Sequence, residues 1–162
     1  MATHFELFAD YFQIHLLDDG SEGDLGDVWN EQTVSDGLGV TEDALAIGTA
    51  VNSTVAVGVD VLMERPVDDG DAFDHVVEAS LRLASGRLVV LGCTDHLPEA
   101  ARFDVPAGWI RVRASRRNLE AASSADLDCE DEPEEREEVR IQAWPAPYSE
   151  PRVVKRWAPA EA

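Results

Sequence analysis

Lysine is almost missing from this chain, with Lys155 alone against twelve arginines in 162 residues. That imbalance points to genome composition more than to mechanism. Cysteine is nearly as scarce. Cys93 and Cys129 are too few for a disulfide scaffold. No window approaches the roughly 18 consecutive apolar residues of a membrane span. The opening MATHFELFADYF has no basic stretch leading into an apolar run, so no secretory signal is expected. Glycine-rich phosphate loops are absent too. Gly37-Leu38-Gly39 lacks a third glycine and follows no strand, which argues against dinucleotide binding. Histidine and cysteine are too scattered to offer zinc its four ligands, so neither metal nor cofactor is expected. These absences predict one soluble, cytoplasmic domain over 1–162, with a frayed tail at 158–162.

What is abundant is negative charge. Thirty-three acidic residues against 13 basic ones leave a net charge of −20. Such a field repels phosphate backbones and anionic membranes, so the expected partner is a basic protein, not nucleic acid or lipid. The acids cluster. Nine lie between Leu17 and Asp43 with no Lys or Arg among them, and ten lie between Glu120 and Glu138 with only Arg136. One reading makes both runs solvated loops that keep the protein soluble. The other makes them docking surfaces, with Asp18, Asp19, Asp24 and Asp27 in the first and Glu130, Asp131, Glu134 and Glu135 in the second.

Periodicity favours strands. Val55, Val57, Val59 and Val61 alternate with small and polar residues. So do Val77, Ala79, Leu81 and Leu83, and again Ile110, Val112 and Ala114. Residues 4–17 read as one bent strand. Ser85-Gly86 reads as the turn of a hairpin spanning Phe73 to Thr94. Trp29, Val34 and Leu38 are spaced for a short helix ending at Gly37 or Gly39. An acidic loop is expected at 120–138. Eight or nine short strands with one or two short helices predict an antiparallel two-layer β-sandwich. Val57, Val59, Leu81, Leu83, Val90, Ile110 and Val112 form its expected core. Trp29, Trp109, Trp144 and Trp157 are expected to plug it.

Few constellations carry chemistry. Arg111 and Arg113 share a strand face and could receive an anionic ligand, or simply pair with nearby acids. Cys93 with His75 and His96 could form a metal or nucleophile site if the hairpin joins them. No oriented base or oxyanion donor is legible around Cys93, so no catalytic residue is assigned.

Several segments, in order, have a familiar pattern: Glu6-Leu7 with Tyr11 and Phe12-Gln13-Ile14, Trp29 before Val34 to Leu38, the strands Ala44–Thr49 and Val55–Met63, Leu81-Arg82-Leu83 with Leu88-Val89-Val90, and Phe103 to Val112. This order resembles the competence protein J-like family of DNA-entry nuclease inhibitors, or a related bacterial β-domain family, over residues 4–119. The segment 120–162 departs from that pattern. The resemblance implies a non-enzymatic β-domain that fills the cationic cleft of a nuclease with an acidic surface.

Overall fold

The computed structural model describes residues 2–22, 24–124 and 136–158. In chain order the first half holds β1 (Thr3–Phe8), β2 (Gln13–Asp18), α1 (Glu31–Asp36), β3 (Leu38–Val40), β4 (Ala44–Gly48) and β5 (Thr54–Val61). The second half holds β6 (His75–Leu83), β7 (Arg87–Gly92), β8 (Ala101–Asp104), β9 (Gly108–Arg117), α2 (Leu119–Ser124), β10 (Glu138–Pro145) and β11 (Arg152–Lys155). Six strands form one sheet in the order β1-β5-β10-β9-β6-β11, and five form the other in the order β3-β4-β2-β7-β8. The all-β sandwich is as expected. Among the described residues it has eleven strands, and β5 and β10 pair in parallel, so the sheets are not wholly antiparallel. Side-chain alternation carries no information about strand direction, which is why the sequence pattern does not reveal the parallel pair.

The core lies between the sheets. All seven expected residues are buried in it, joined by Ile14, Leu16, Leu45, Ile47 and Ile141. None of the four tryptophans is part of that cluster. Trp144 is buried on the opposite face of its sheet, flanked by the guanidinium groups of Arg65 and Arg113, each 5.6 Å from the ring. Trp109 packs edge-on against Tyr148.

Two connections differ from expectation. The stretch 4–17 is two strands in different sheets, separated by a single 3-10 turn at Asp10–Phe12. β6 and β7 are not a hairpin either. β6 pairs with β9 and β11, whereas β7 pairs with β2 and β8. The Ser85-Gly86 turn is an arch between the sheets, with Gly86 at φ +71°. A tight Ser-Gly turn suits either connection. Here Ser85 is fastened to the five-stranded sheet, its N–H and hydroxyl both donating to Asp18.

The outer face of the five-stranded sheet is also apolar. Leu17, Ala44, Ala46, Val89 and Leu91 project there and are covered by Leu25, with Val28 and Trp29 beside it. Strands buried on both faces read as unbroken apolar runs, as in Ala44-Leu45-Ala46-Ile47. The segment between β2 and α1 is therefore a strap, held down largely by Leu25, whose burial contributes about 2 kcal/mol. No described helix is long and apolar enough to cross a membrane.

Candidate functional site

The strap sorts the first acidic run into two groups. Asp18 is only 6% exposed and accepts both hydrogen bonds from Ser85. Asp19 accepts from Arg102 at 3.3 Å and lies 3.7 Å from Arg87. These two carboxylates hold the strap and the arch together. Glu22, Asp24, Asp27 and Glu31 stand exposed and make no ion pair among the described residues. The free negative charge of this region thus sits beyond Asp19, on a segment pinned by Leu25. Losing the Asp18 acceptor is expected to cost about 1–3 kcal/mol, because two hydrogen bonds from Ser85 to a buried carboxylate are lost. Neutralising Asp24 and Asp27 together should stay within about 0.5 kcal/mol per site. Thermal melts of Asp18→Ala against Asp24→Asn/Asp27→Asn separate the two classes. Glu130, Asp131, Glu134 and Glu135 lie outside the described residues.

Beside the strap is a corner where the chain leaves one sheet for the other. Tyr11 and Phe12 both take left-handed backbone angles, φ +57° and +60°. The strain, about 1–3 kcal/mol per residue, is held by local bonds. The Tyr11 N–H donates to Asn52 Oδ1 at 2.7 Å, the Phe12 N–H donates to the Ala9 carbonyl, and the Phe12 carbonyl accepts from the Thr49 N–H. Both rings are left outside, at 68% and 52% exposure. Trp29 stands nearby, its indole N–H donating to Gln13 Oε1 at 3.1 Å.

Below this corner lies a polar end of the core. His75 and Arg116 are register partners on β6 and β9, and Arg116 is opposite Val139 on β10. The Arg116 Nη1 donates to Glu137 Oε2 at 3.1 Å, and Glu137, fully buried, also accepts from the Ala50 N–H at 2.6 Å. Burial pushes the Glu137 carboxyl up, against the pull of Arg116 and Ala50. The alternation contains a signal for all three groups. His75 shares phase with Val77, Arg116 with Ala114, and Glu137 with Val139, so each is a charged or polar residue at a core position.

Two solved structures place this architecture, although no protein-family model and no curated protein matches the chain. One is the crystal structure of ComJ, inhibitor of the DNA degrading activity of NucA, from Bacillus subtilis. It aligns at TM-score 0.67 and 14% identity over 89% of this chain and 96% of that one. The fold is ComJ-like. The other, Crocagin biosynthetic gene J, aligns at TM-score 0.64 and 16% identity over 91% of this chain and 98% of that one.

The remaining sequence candidates have defined places in this ComJ-like sandwich. Arg113 is buried on the outer face of the six-stranded sheet, donating to Glu78 at 2.9 Å and to the Val67 carbonyl at 3.0 Å. Arg111 beside it donates to the Pro147 carbonyl and to Ser80. Both are occupied by the protein itself. Cys93, His75 and His96 are not brought together, since the hairpin that would join them does not form. Cys93 follows β7, where burial and the nearby Asp10 raise its thiol above the ordinary range. His96 is exposed before a single helical turn. Among the described residues no group of three or more His, Cys, Asp or Glu could hold a metal ion.

His75 has both ring nitrogens engaged. Nδ1 accepts from the Trp157 N–H at 3.1 Å, so it carries no proton, and Nε2 donates to the Asp36 carbonyl at 2.6 Å. Burial, and then the Arg116 charge, lower its pKa. A depressed folded value makes the contribution to stability complete above the ordinary histidine range and lost as pH falls through the folded value. His15, lowered by burial, acts with the same sign. Melting temperature should therefore fall on acidification below about pH 6. In His75→Gln, which keeps an acceptor and a donor without titrating, that acid-side slope should be shallower. An unchanged slope would remove His75 from the account.

Proposed function

We propose that this chain is a non-enzymatic binding module that blocks a basic protein, a nuclease being the foremost class, by laying its acidic surface into the partner's cationic cleft. The observation carrying this reading is the row of exposed acids, Glu22, Asp24 and Asp27 on the strap and Glu31 at the start of α1, none in an ion pair among the described residues, within a chain of net charge −20. Their carboxylates need no internal partner for folding, and the apolar anchors beneath them limit the entropy lost when a partner docks. The ComJ-like fold supports the nuclease class, because ComJ is an inhibitor of DNA degradation by NucA. A positive cleft built for a polyanion would attract such a row and associate quickly, in a salt-sensitive way. The cytoplasm is the compartment this reading assigns.

The test is capture from the source organism on the immobilised chain at low and high salt, followed by purification of the retained protein. A basic protein held at low salt, released at high salt and inhibited by equimolar chain is the expected result. Retention of no basic protein, or retention without inhibition, refutes the inhibitor reading.

A further inference from the structure

The strained corner and the buried arginine meet in one pocket of about 380 Å³, within the size range of small-ligand sites. Tyr11, Phe12 and Trp29 line its sides, and Thr49, Gly37 and Arg116 are deeper lining residues. Arg116 is 7% exposed, and Glu137 is the only acceptor hydrogen-bonded to its guanidinium among the described residues. A guanidinium has five N–H donors, and one bond to Glu137 leaves others free to meet a ligand that enters the pocket. The space beside it is kept open by Gly37. That residue caps α1 at φ +67°, and a Cβ there would stand 3.0 Å from Arg116 Nη2. The rim raises the same question from outside. A turn between sheets can be made with glycine or asparagine at less strain. This one keeps two aromatic rings in left-handed backbone and in solvent.

We infer that this pocket binds a small organic carboxylate with a flat apolar body. The aromatic walls take the body, and the open edge of Arg116 takes the carboxylate through paired N–H donors. One guanidinium already shared with Glu137 suits a monoanion better than a doubly charged phosphate. The exposed acids of the protein surface do not forbid it, since their field is screened over about 8 Å in physiological salt whereas the buried guanidinium acts at contact. The site is independent of the basic partner proposed above and can stand or fall without it.

The test is a titration of the full-length, 15N-labelled chain with 2-naphthoate and with 2-naphthamide as its neutral counterpart, followed by amide NMR. Saturable shifts at Gly37, Gly48, Thr49 and the Trp29 indole N–H are expected with naphthoate, with at least tenfold weaker binding of the amide. Arg116→Gln alone would strand Glu137 in the interior, so the variant is R116Q/E137Q, which removes both charges. It should lose the preference for the acid. Phe12→Ala should weaken both probes. The inference is overturned by the absence of saturable shifts at these positions, by equal affinity for acid and amide, or by a tenfold preference that survives R116Q/E137Q.

Discussion

Glu78→Ala is expected to be the most destabilising single substitution on the outer face of the six-stranded sheet. Glu78 is 2% exposed and forms ion pairs with three arginines. It accepts from Arg113 at 2.9 Å and Arg65 at 3.0 Å, and Arg152 reaches it at 3.5 Å. The register explains why. Gln142, Arg113, Glu78 and Arg152 are direct cross-strand neighbours on β10, β9, β6 and β11. Removing Glu78 leaves Arg113 buried without the carboxylate that its Nε hydrogen-bonds. Breaking a buried pair from one side costs about 3–5 kcal/mol, a large share of the roughly 5–15 kcal/mol that holds an ordinary domain together. At about 2–4 °C per kcal/mol for a chain of this size, the melting temperature should drop by roughly 10 °C. Glu78→Met combined with Arg113→Met should cost less than the two single changes summed, because no charge is stranded. A drop of less than about 2 °C in Glu78→Ala would show that water already screens the network.

The same residue gives the acid limb a sign. Burial alone would raise the Glu78 carboxyl, but the Arg113 hydrogen bond and the charges of Arg65, Arg113 and Arg152 outweigh it and hold it below the usual carboxylate range. Its contribution is complete above that range and disappears as pH falls through the lowered value.

The second large effect concerns binding. Reversing Glu22, Asp24, Asp27 and Glu31 to lysine should slow association with the basic partner by about 10–1,000-fold at low salt, the range over which electrostatic steering acts. The melting temperature should move by no more than about 2 °C, since none of the four makes an ion pair among the described residues. Asp18 and Asp19 are left out of the set because changing them would unfasten the strap, and a loss of binding would then say nothing about charge. Undiminished capture by the reversed chain would reduce these acids to a solubilising surface.

The sequence carries the sandwich legibly wherever one sheet face is apolar and the other polar. β5 and β9 alternate cleanly, and the core residues Val57, Val59, Ile110 and Val112 follow from that pattern alone. Gly37 ends α1 as its position suggests, in the left-handed region where a side chain is strained. Two kinds of feature are hidden. Partnership across space is one. Nothing local tells whether β6 and β7 meet as a hairpin or part as an arch, so the imagined approach of His75 to Cys93 had no physical basis. Charge at a core position is the other. The alternation of β9 extends one step beyond Ala114 to Arg116, and that of β10 begins one step before Val139 at Glu137. A reading that stops at the last apolar residue treats both as surface. The same applies to Asp18, which looks like any other acid of its run until Ser85 is placed against it.

The central claim is that exposed carboxylates on the strap drive capture of a basic partner, and the most direct measurement is the association rate of wild-type and strap-reversed chains with the purified partner as salt is raised. The account predicts a wild-type rate that falls steeply with salt and a reversed chain that is slow at every salt concentration. A wild-type rate that is indifferent to salt, or equal to that of the reversed chain at low salt, would contradict it.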